Sequence, residues 1–177
     1  MNRLFTFVFL GFSLFYCSAG AQNVKVEKGE VYFSDKIKDK NDITVITGYV
    51  KDLVDSTMKK DLSLLKTMVS SEKGVYLDVK GLWTYNDLLK ELSKEDSYFS
   101  VYFFDHDKLV KEKKSDDVLT VREVLALSGG VEADLYFESK DSCEVRLRFN
   151  KNKRKEYDLN NPYFIKLNGK WYLYRLF

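Results

Sequence analysis

The sequence has few of the residues that metal sites and disulfide scaffolds require. The 177-residue chain contains one histidine, two cysteines and one proline. This count excludes a structural zinc site with four Cys or His ligands, and it excludes a disulfide-rich scaffold. A large excess of positive or negative charge is also absent, since the chain has 29 Lys and Arg residues and 27 Asp and Glu residues. This balance provides no general attraction to nucleic acid or to a membrane surface.

Common catalytic and cofactor motifs are missing as well. The chain has no P-loop, no G-x-G-x-x-G fingerprint and no G-x-S-x-G motif around a nucleophilic serine. Repeats and linkers rich in Pro, Gly or Ser are also absent. With 45% hydrophobic and 32% charged residues, the composition is typical of a globular domain. We therefore expect one domain, no catalytic residues, no metal and no cofactor, although an enzymatic role stays open.

The N-terminal residues 1–21 have the layout of a secretory signal peptide. Arg3 precedes the apolar run Leu4–Tyr16, and Ala19 and Ala21 form an A-x-A cleavage site before Gln22. The apolar run is shorter than the ~20 residues that span a bilayer. We predict cleavage after Ala21 and a secreted or periplasmic protein.

Cys17 supports an alternative in which the chain is a lipoprotein anchored at the cell envelope. Bacterial lipoproteins are cut just before a cysteine that becomes acylated, and membrane contact is expected only in that case. The bulky Tyr16 before Cys17 departs from the small residue usual at such a cut. Cleavage after Ala21 instead leaves Cys143 as the one cysteine, so that no intrachain disulfide can form.

The rest of the chain is divided into a polar lead-in, residues 22–42, and one α+β domain, residues 43–177. Within the lead-in, Val24–Phe33 predicts an edge strand. Helical spacing of apolar residues predicts a helix over Ile43–Met58 with Asp42 as its N-cap. Further patterns predict a short helix from Asp61 through Val69, a strand at Gly74–Val79, a helix at Tyr85–Leu92 opened by Thr84, a central strand at Ser97–Phe104, a charged connection at Asp105–Asp117, and a helix opened by Thr120 and Glu123 that ends near Leu127.

Two hairpins follow in the C-terminal half. Alternation over Val131–Phe137 and Cys143–Phe149 predicts two half-buried strands, joined through a loop at Ser139–Asp141. We predict the register that pairs Phe137 with Cys143, since it also places Asp134 opposite Arg146 and Glu132 opposite Arg148. A polar connection over Lys151–Asn161 leads to the second hairpin, Tyr163–Leu167 and Lys170–Phe177, which turns at Asn168-Gly169.

Three features could carry chemistry, and each has a simpler interpretation. His106 in Asp105-His106-Asp107 could bind metal or transfer protons, but a solvated loop histidine explains it as well. Cys143 could be a nucleophile or a redox thiol, yet its alternation places it on the apolar face of a strand. The basic run Lys151–Lys155 could touch phosphate, although connections are commonly charged because they are solvated. We predict no nucleic-acid binding.

Aromatic residues form the remaining candidate for a site. The segment Ser97–Phe104 and the last strand are apolar on both faces, so each face needs a cover. A pocket, a partner or a second layer would provide one, and tyrosine and tryptophan suit a pocket wall. Plain core packing is the alternative. The candidate ligand-binding residues are Trp83, Tyr98, Tyr102, Trp171 and Tyr174.

The order of elements over residues 43–177, together with the terminal pattern Asn168-Gly169-Lys170-Trp171-Tyr172-Leu173, resembles the nuclear-transport-factor-2-like (NTF2-like) superfamily. The resemblance implies N-terminal helices packed on a curved, mostly antiparallel sheet that forms a cone, often with a pocket and often as a homodimer. Members include isomerases, dehydratases and transport factors. Their catalytic Asp, His or Tyr residues cannot be matched to positions of this chain.

The scarcity of catalytic groups favours a non-enzymatic binding protein with an aromatic pocket or a dimer face. Its ligand would be a small apolar molecule or a protein partner. The alternatives are an isomerase or hydro-lyase that uses Asp and Tyr for acid–base chemistry, and the lipoprotein adaptor anchored through Cys17.

Overall fold

A computed structural model describes residues 23–34, 39–77 and 81–177, so the predicted signal peptide and Cys17 lie outside the described residues. The strands are β1 (Val26–Phe33), β2 (Val75–Tyr76), β3 (Leu82–Trp83), β4 (Val131–Ser139), β5 (Ser142–Phe149), β6 (Tyr163–Leu167) and β7 (Lys170–Arg175). The helices are α1 (Lys40–Met58), α2 (Leu65–Met68), α3 (Tyr85–Leu92), α4 (His106–Lys113) and α5 (Val121–Leu127), with a π-helical turn at Ser100–Phe104 and a 3₁₀ helix at Lys153–Asp158.

The strands form one curved, unclosed sheet in the order β1-β4-β5-β6-β7-β2-β3. The pairs β1–β4 and β2–β7 are parallel, and the other four pairs are antiparallel. Helices α1 and α2 pack against this sheet. The predicted α+β class is therefore confirmed, and so is the edge position of the first strand.

The β4–β5 hairpin has the predicted register. Phe137 pairs with Cys143, Asp134 with Arg146 and Glu132 with Arg148. The turn is tighter than predicted, because the register shifts after Phe137 and Ser139 pairs with Ser142. The loop is thereby corrected to Lys140 and Asp141.

The β6–β7 hairpin also matches its prediction. Asn168 and Gly169 have φ values of 50° and 80°. Two consecutive positive φ values are what a two-residue type I′ turn requires, which is why Asn-Gly predicts this turn well. β7 ends at Arg175, and the last two residues, Leu176 and Phe177, are buried.

The start of α1 corrects a prediction. The helix begins at Lys40, inside the predicted lead-in, and its N-cap is Asp39 rather than Asp42. The Asp39 side chain accepts a hydrogen bond from the backbone N–H of Asn41 at 2.8 Å. Asp42 is buried in the first helical turn, where Lys166 and Trp171 both bind its carboxylate at 2.7–2.9 Å. Two partners far along the chain, Lys166 and Trp171, therefore bind the Asp42 side chain, which does not cap the helix.

The next elements are shorter than predicted, apart from α3. α2 covers only Leu65–Met68, and Asp61 closes a local turn by accepting the backbone N–H of Ser63 at 2.9 Å. Hydrogen bonding to Ser63 also lowers the pKa of Asp61. The strand predicted at Gly74–Val79 is formed over β2, and residues 78–80 lie outside the description. α3 has the predicted bounds, with Thr84 and Asp87 forming a capping box.

The predicted central strand at Ser97–Phe104 is wrong, because this segment is helical and includes the π-helical turn. Phe99 and Phe103, four residues apart, are 2% and 1% exposed. Tyr98 and Tyr102 stack with ring centroids 4.5 Å apart. Both pairs have helical spacing, but aromatic residues at almost every position hide that period in the sequence. Packing in the core has overridden the strand propensity of the individual residues.

Short helices also occupy the two predicted connections. α4 lies within Asp105–Asp117 and begins after Asp105, whose side chain accepts the backbone N–H of Lys108 at 3.1 Å. The 3₁₀ helix lies within Lys151–Asn161 and packs against β5. α5 has its predicted capping box of Thr120 and Glu123 and ends before Gly129.

The hydrophobic core lies between the helices and the inner face of the sheet. Helix α1 contributes residues at helical spacing, and strands β4 and β5 contribute alternate residues. Among these buried residues are Ile46, Val50, Leu53, Val54, Val131, Ala133, Leu135, Cys143, Val145 and Leu147. The alternate residues Glu144 and Arg146 therefore face the other side of the sheet, which carries the candidate site.

Candidate functional site

The five predicted ligand-binding residues do not line one pocket. Trp83, Tyr98 and Tyr102 come together beside the π-helical turn, where Trp83 and Tyr98 meet edge to face with centroids 5.6 Å apart. With Phe99 and Phe103 they form a group that we name the turn cluster. Its rings contact mainly one another, with centroid distances of 4.5–6.4 Å.

Trp171 belongs to the core. It is 2% exposed, and its ring meets Phe137 edge to face with centroids 6.1 Å apart. Its indole N–H donates to the Asp42 carboxylate at 2.7 Å. This hydrogen bond satisfies the buried indole and connects β7 to the first turn of α1, so Trp171 has a structural role.

Tyr174, in contrast, lines an open cavity with a volume of about 1010 Å³. We name this cavity the outer cleft. It lies between the outer face of β5, β6 and β7 and the chain segment 156–161, with Tyr76 at one side. Its lining residues are Tyr76, Glu144, Arg146, Leu147, Glu156, Tyr157, Leu159, Asn160, Asn161, Tyr163, Tyr174 and Arg175.

Strand alternation explains why polar and aromatic side chains meet at the outer cleft. On β5, Val145 is buried, while Glu144 and Arg146 on either side of it line the cleft. On β7, Leu173 is fully buried, and the next residue, Tyr174, faces the cleft. Successive side chains of a strand point to opposite faces, so a buried inner row implies an outer row of this kind.

Arg146 is held from two directions. One of its guanidinium nitrogens donates to Glu156 at 3.0 Å and to the Tyr157 hydroxyl at 3.1 Å. Glu156 also accepts the backbone N–H of Phe149 at 3.2 Å. The hydrogen bond with Glu156 raises the pKa of Arg146. These contacts fasten the 3₁₀ helix to the outer face of β5.

Arg175 forms a second network in the cleft. Its Nη2 lies 3.2 Å from a carboxylate oxygen of Glu144, and its Nε donates to the backbone carbonyl of Asn161 at 2.8 Å. The side-chain amide of Asn161 donates to the same Glu144 oxygen at 2.6 Å. Each arginine therefore has a glutamate partner, and the four side chains together carry no net charge.

Tyrosine rings occupy the remaining wall. Tyr76 and Tyr174 meet edge to face with centroids 5.2 Å apart, and burial, together with Tyr76, raises the pKa of Tyr174. Burial and a 2.6 Å hydrogen bond to Glu138 raise the pKa of Tyr163. The hydroxyls of Tyr163 and Tyr174 therefore stay protonated at neutral pH. Tyr157 is 74% exposed and presents its ring to solvent.

Sequence reasoning found one residue of the outer cleft, Tyr174, and missed the others. The alternation of β5 did place Glu144 and Arg146 on the polar face, but it assigned Arg146 to Asp134. In the structure Arg146 binds Glu156, whereas Arg148 approaches Asp134 at 3.5 Å. No local pattern showed that residues 156–161 return to cover β5.

The structure also places the two lone candidates for chemistry. His106 is the first residue of α4 rather than part of a loop, and its Nδ1 lies 3.1 Å from the Glu123 carboxylate that caps α5. Cys143 is fully buried, and burial raises the pKa of its thiol to about 12. The core interpretation of Cys143 is therefore confirmed, because a thiol of this kind is almost fully protonated at neutral pH.

Metal ligands do not gather within the described part of the chain, where no three His, Cys, Asp or Glu residues are arranged to hold an ion. None of the helices described there is long and apolar enough to cross a membrane.

No protein family model, no curated protein and no solved structure matches the chain.

Proposed function

We propose that this chain is a non-enzymatic binding protein that holds its ligand in the outer cleft. The observation that supports this most is the combination of four tyrosines and two arginine–glutamate pairs around one open cavity of about 1010 Å³. Ligand sites usually combine aromatic surface with a few fixed polar groups, and this cavity has both.

The hydrogen bonds among the polar groups support binding rather than a purely structural role. Arg146, Glu156, Arg175 and Glu144 are oriented by one another and by backbone atoms before any ligand arrives. Preorganised groups lose less conformational entropy on binding. Both arginine side chains nevertheless keep 37–40% of their surface exposed, so part of each guanidinium can still reach a ligand.

Two finer proposals accompany this one. The domain would belong to the NTF2-like superfamily, which the curved, unclosed sheet and the helices packed against it support. The chain would be exported through a signal peptide cleaved after Ala21, as the sequence of residues 1–21 indicates. Mass spectrometry of the exported protein tests the second point, because a free Gln22 supports cleavage and an acylated Cys17 supports the lipoprotein alternative.

Amide chemical shifts of the isotope-labelled protein test the binding proposal. The probes are a panel of neutral saccharides, sulfated saccharides, short acidic and basic peptides, and apolar ring compounds. We expect at least one class to shift the amides of residues in the outer cleft and to remain chemically unchanged during the experiment. The shifts should weaken in Tyr157→Ala, which removes the most exposed ring, and persist in Tyr32→Ala.

Tyr32 is a matched control because it is also an exposed tyrosine, at 47%, and lies on β1 outside the cleft. If no probe class shifts the cleft residues, the binding proposal is wrong. Conversion of a probe would overturn the non-enzymatic part of the proposal and would favour the isomerase or hydro-lyase alternative.

A further inference from the structure

The charge of the outer cleft narrows the chemistry of its ligand. Its two arginines, Arg146 and Arg175, are matched by its two glutamates, Glu156 and Glu144, at 3.0 and 3.2 Å. An anionic ligand would approach both carboxylates, and a cationic ligand would approach both guanidinium groups. Like charges brought together in this way oppose binding. The pairing therefore favours a ligand without net charge.

The hydrogen-bonding groups of the cleft also favour a ligand without net charge. Its donors are guanidinium and amide N–H groups and phenolic O–H groups, and its acceptors are carboxylate and amide oxygens. Donors and acceptors lie side by side in the wall, since Arg146 contacts Glu156 and Arg175 contacts Glu144. A hydroxyl group both donates and accepts, so a ligand rich in hydroxyls can satisfy either kind wherever it meets one.

The tyrosine rings add flat apolar surface to these polar groups. Tyr157 is 74% exposed and Tyr76 is 36% exposed, and both line the cleft. The guanidinium carbon of Arg146 lies 5.7 Å from the centroid of the Tyr157 ring and helps to hold it beside β5. The face of an aromatic ring is electron-rich, so it attracts the C–H groups on the flat side of a sugar ring.

The size and shape of the cleft suit a ligand of more than one ring. Its volume of about 1010 Å³ lies at the upper end of the ~300–1,000 Å³ usual for small-molecule sites. The cleft is open along the sheet rather than enclosed, and Glu144 and Arg146, one from each arginine–glutamate pair, lie on the same face of β5 two residues apart. An extended ligand can therefore meet both pairs at once.

From these observations we propose that the outer cleft binds a neutral oligosaccharide. This inference rests on the proposed binding function and names its ligand class. Sugar rings would stack on Tyr157 and Tyr76, while ring hydroxyls would form hydrogen bonds with the two arginine–glutamate pairs. An acidic peptide or a sulfated saccharide would instead bring negative charge toward the two carboxylates.

Calorimetric and amide-shift titrations test the inference, with length series of gluco-, xylo- and N-acetylglucosamine oligosaccharides from one to six units as probes. For at least one series, we expect Kd to fall about tenfold or more between the monosaccharide and the tetrasaccharide, because the longer ligand reaches additional contacts. The affinity should change little with salt concentration, since screening weakens only interactions between charges.

Three variants locate the binding. Tyr157→Ala should raise Kd for the tetrasaccharide about tenfold, which corresponds to the loss of about 1.4 kcal/mol, within the range of an aromatic stacking contact. Tyr157→Phe keeps the ring and should stay within about threefold of the unchanged protein. Tyr32→Ala should leave Kd unchanged, as that ring lies outside the cleft. Dispersed amide spectra of all three variants confirm that they are folded.

The possible outcomes separate this inference from the proposal on which it rests. If only sulfated saccharides or peptides shift the cleft residues, with affinity that falls as salt rises, the oligosaccharide inference is wrong and the binding function stands. If neutral oligosaccharides bind equally well to Tyr157→Ala, the inference is wrong in its placement. If no probe shifts any cleft residue, both proposals fail.

Discussion

The turn cluster and the outer cleft use aromatic residues in different surroundings. In the turn cluster, Phe99 and Phe103 are nearly inaccessible, and the rings contact mainly other rings. In the outer cleft, the Tyr157 and Tyr163 rings each lie beside an arginine, and Tyr157 remains largely exposed. Aromatic content alone does not distinguish a core from a site. The exposure of the rings distinguishes them better than a charged neighbour does, because Lys113 Nζ also lies 4.9 Å from the centroid of the Tyr102 ring in the turn cluster.

This difference predicts that the turn cluster contributes stability and that the exposed ring of the cleft does not. Phe103→Ala should lower the free energy of unfolding by about 3–5 kcal/mol, since it removes a ring that is 1% exposed and leaves a cavity. Urea denaturation followed by circular dichroism measures this change.

Tyr157→Ala is the matched control for Phe103→Ala. Because its ring is 74% exposed, the free energy of unfolding should change by no more than about 0.5 kcal/mol. Equal losses in the two variants would show that the two aromatic regions do not differ in the way described.

Substitution of Arg146, which lies beside the Tyr157 ring, should have a smaller effect on stability than substitution of Phe103. Arg146→Ala removes the hydrogen bonds to Glu156 and Tyr157 and should lower the free energy of unfolding by about 0.5–1.5 kcal/mol. Arg154→Ala is the control, because this arginine lies on the 3₁₀ helix that carries Glu156 and Tyr157 and is exposed. Urea denaturation of both variants at low and high salt measures the two changes in the free energy of unfolding. If Arg146→Ala lowers this free energy no more than Arg154→Ala does, the hydrogen-bond network described for Arg146 on β5 does not stabilise the fold.

The smallest expected effect concerns the phenol of Tyr174, whose pKa is raised by burial and by Tyr76. A raised pKa means that the folded state holds this proton more tightly than the unfolded state does. The free energy of unfolding should therefore decrease as pH rises above about 10, the ordinary pKa of tyrosine. Tyr174→Phe should make this decrease shallower in alkaline denaturation experiments. An unchanged pH dependence would show that the pKa of Tyr174 is not raised in the folded state.

Local patterns predicted part of the fold well. The β4–β5 register follows from alternation and from cross-strand charges, because both depend on residues close together in sequence. The turn at Asn168-Gly169, the start of α3 after Thr84 and the capping box at Thr120 are local for the same reason. Each of these features is decided within a few residues, and tertiary contacts only had to be compatible with it.

The predictions that were wrong depend on contacts between distant parts of the chain. Ser97–Phe104 has the composition of a strand, yet contacts with Trp83 and Phe177 accompany its helical form. Asp42 has the position of an N-cap, yet Lys166 and Trp171, more than 120 residues away, bind it inside the helix. Long-range partners of this kind leave no periodic signal in the sequence.

In the candidate site too, local patterns predicted one feature and distant contacts decided the others. Tyr174 was predicted because it stands in an aromatic strand, whereas Trp171 in that strand faces the core. The glutamate partners of Arg146 and Arg175 come from different parts of the chain, and sequence reasoning missed both pairs. Their placement depends on how segment 156–161 crosses the sheet.

The sequence by itself determined the α+β class, the two C-terminal hairpins, the caps of α3 and α5, and the scarcity of groups suited to metal binding or nucleophilic catalysis. The tertiary structure decided which aromatic residues form the core and which line a cleft. The physical reason is that alternation and capping act between near neighbours, whereas burial and charge pairing depend on which distant segments meet. In this chain, the meeting of residues 156–161 with β5 creates the outer cleft.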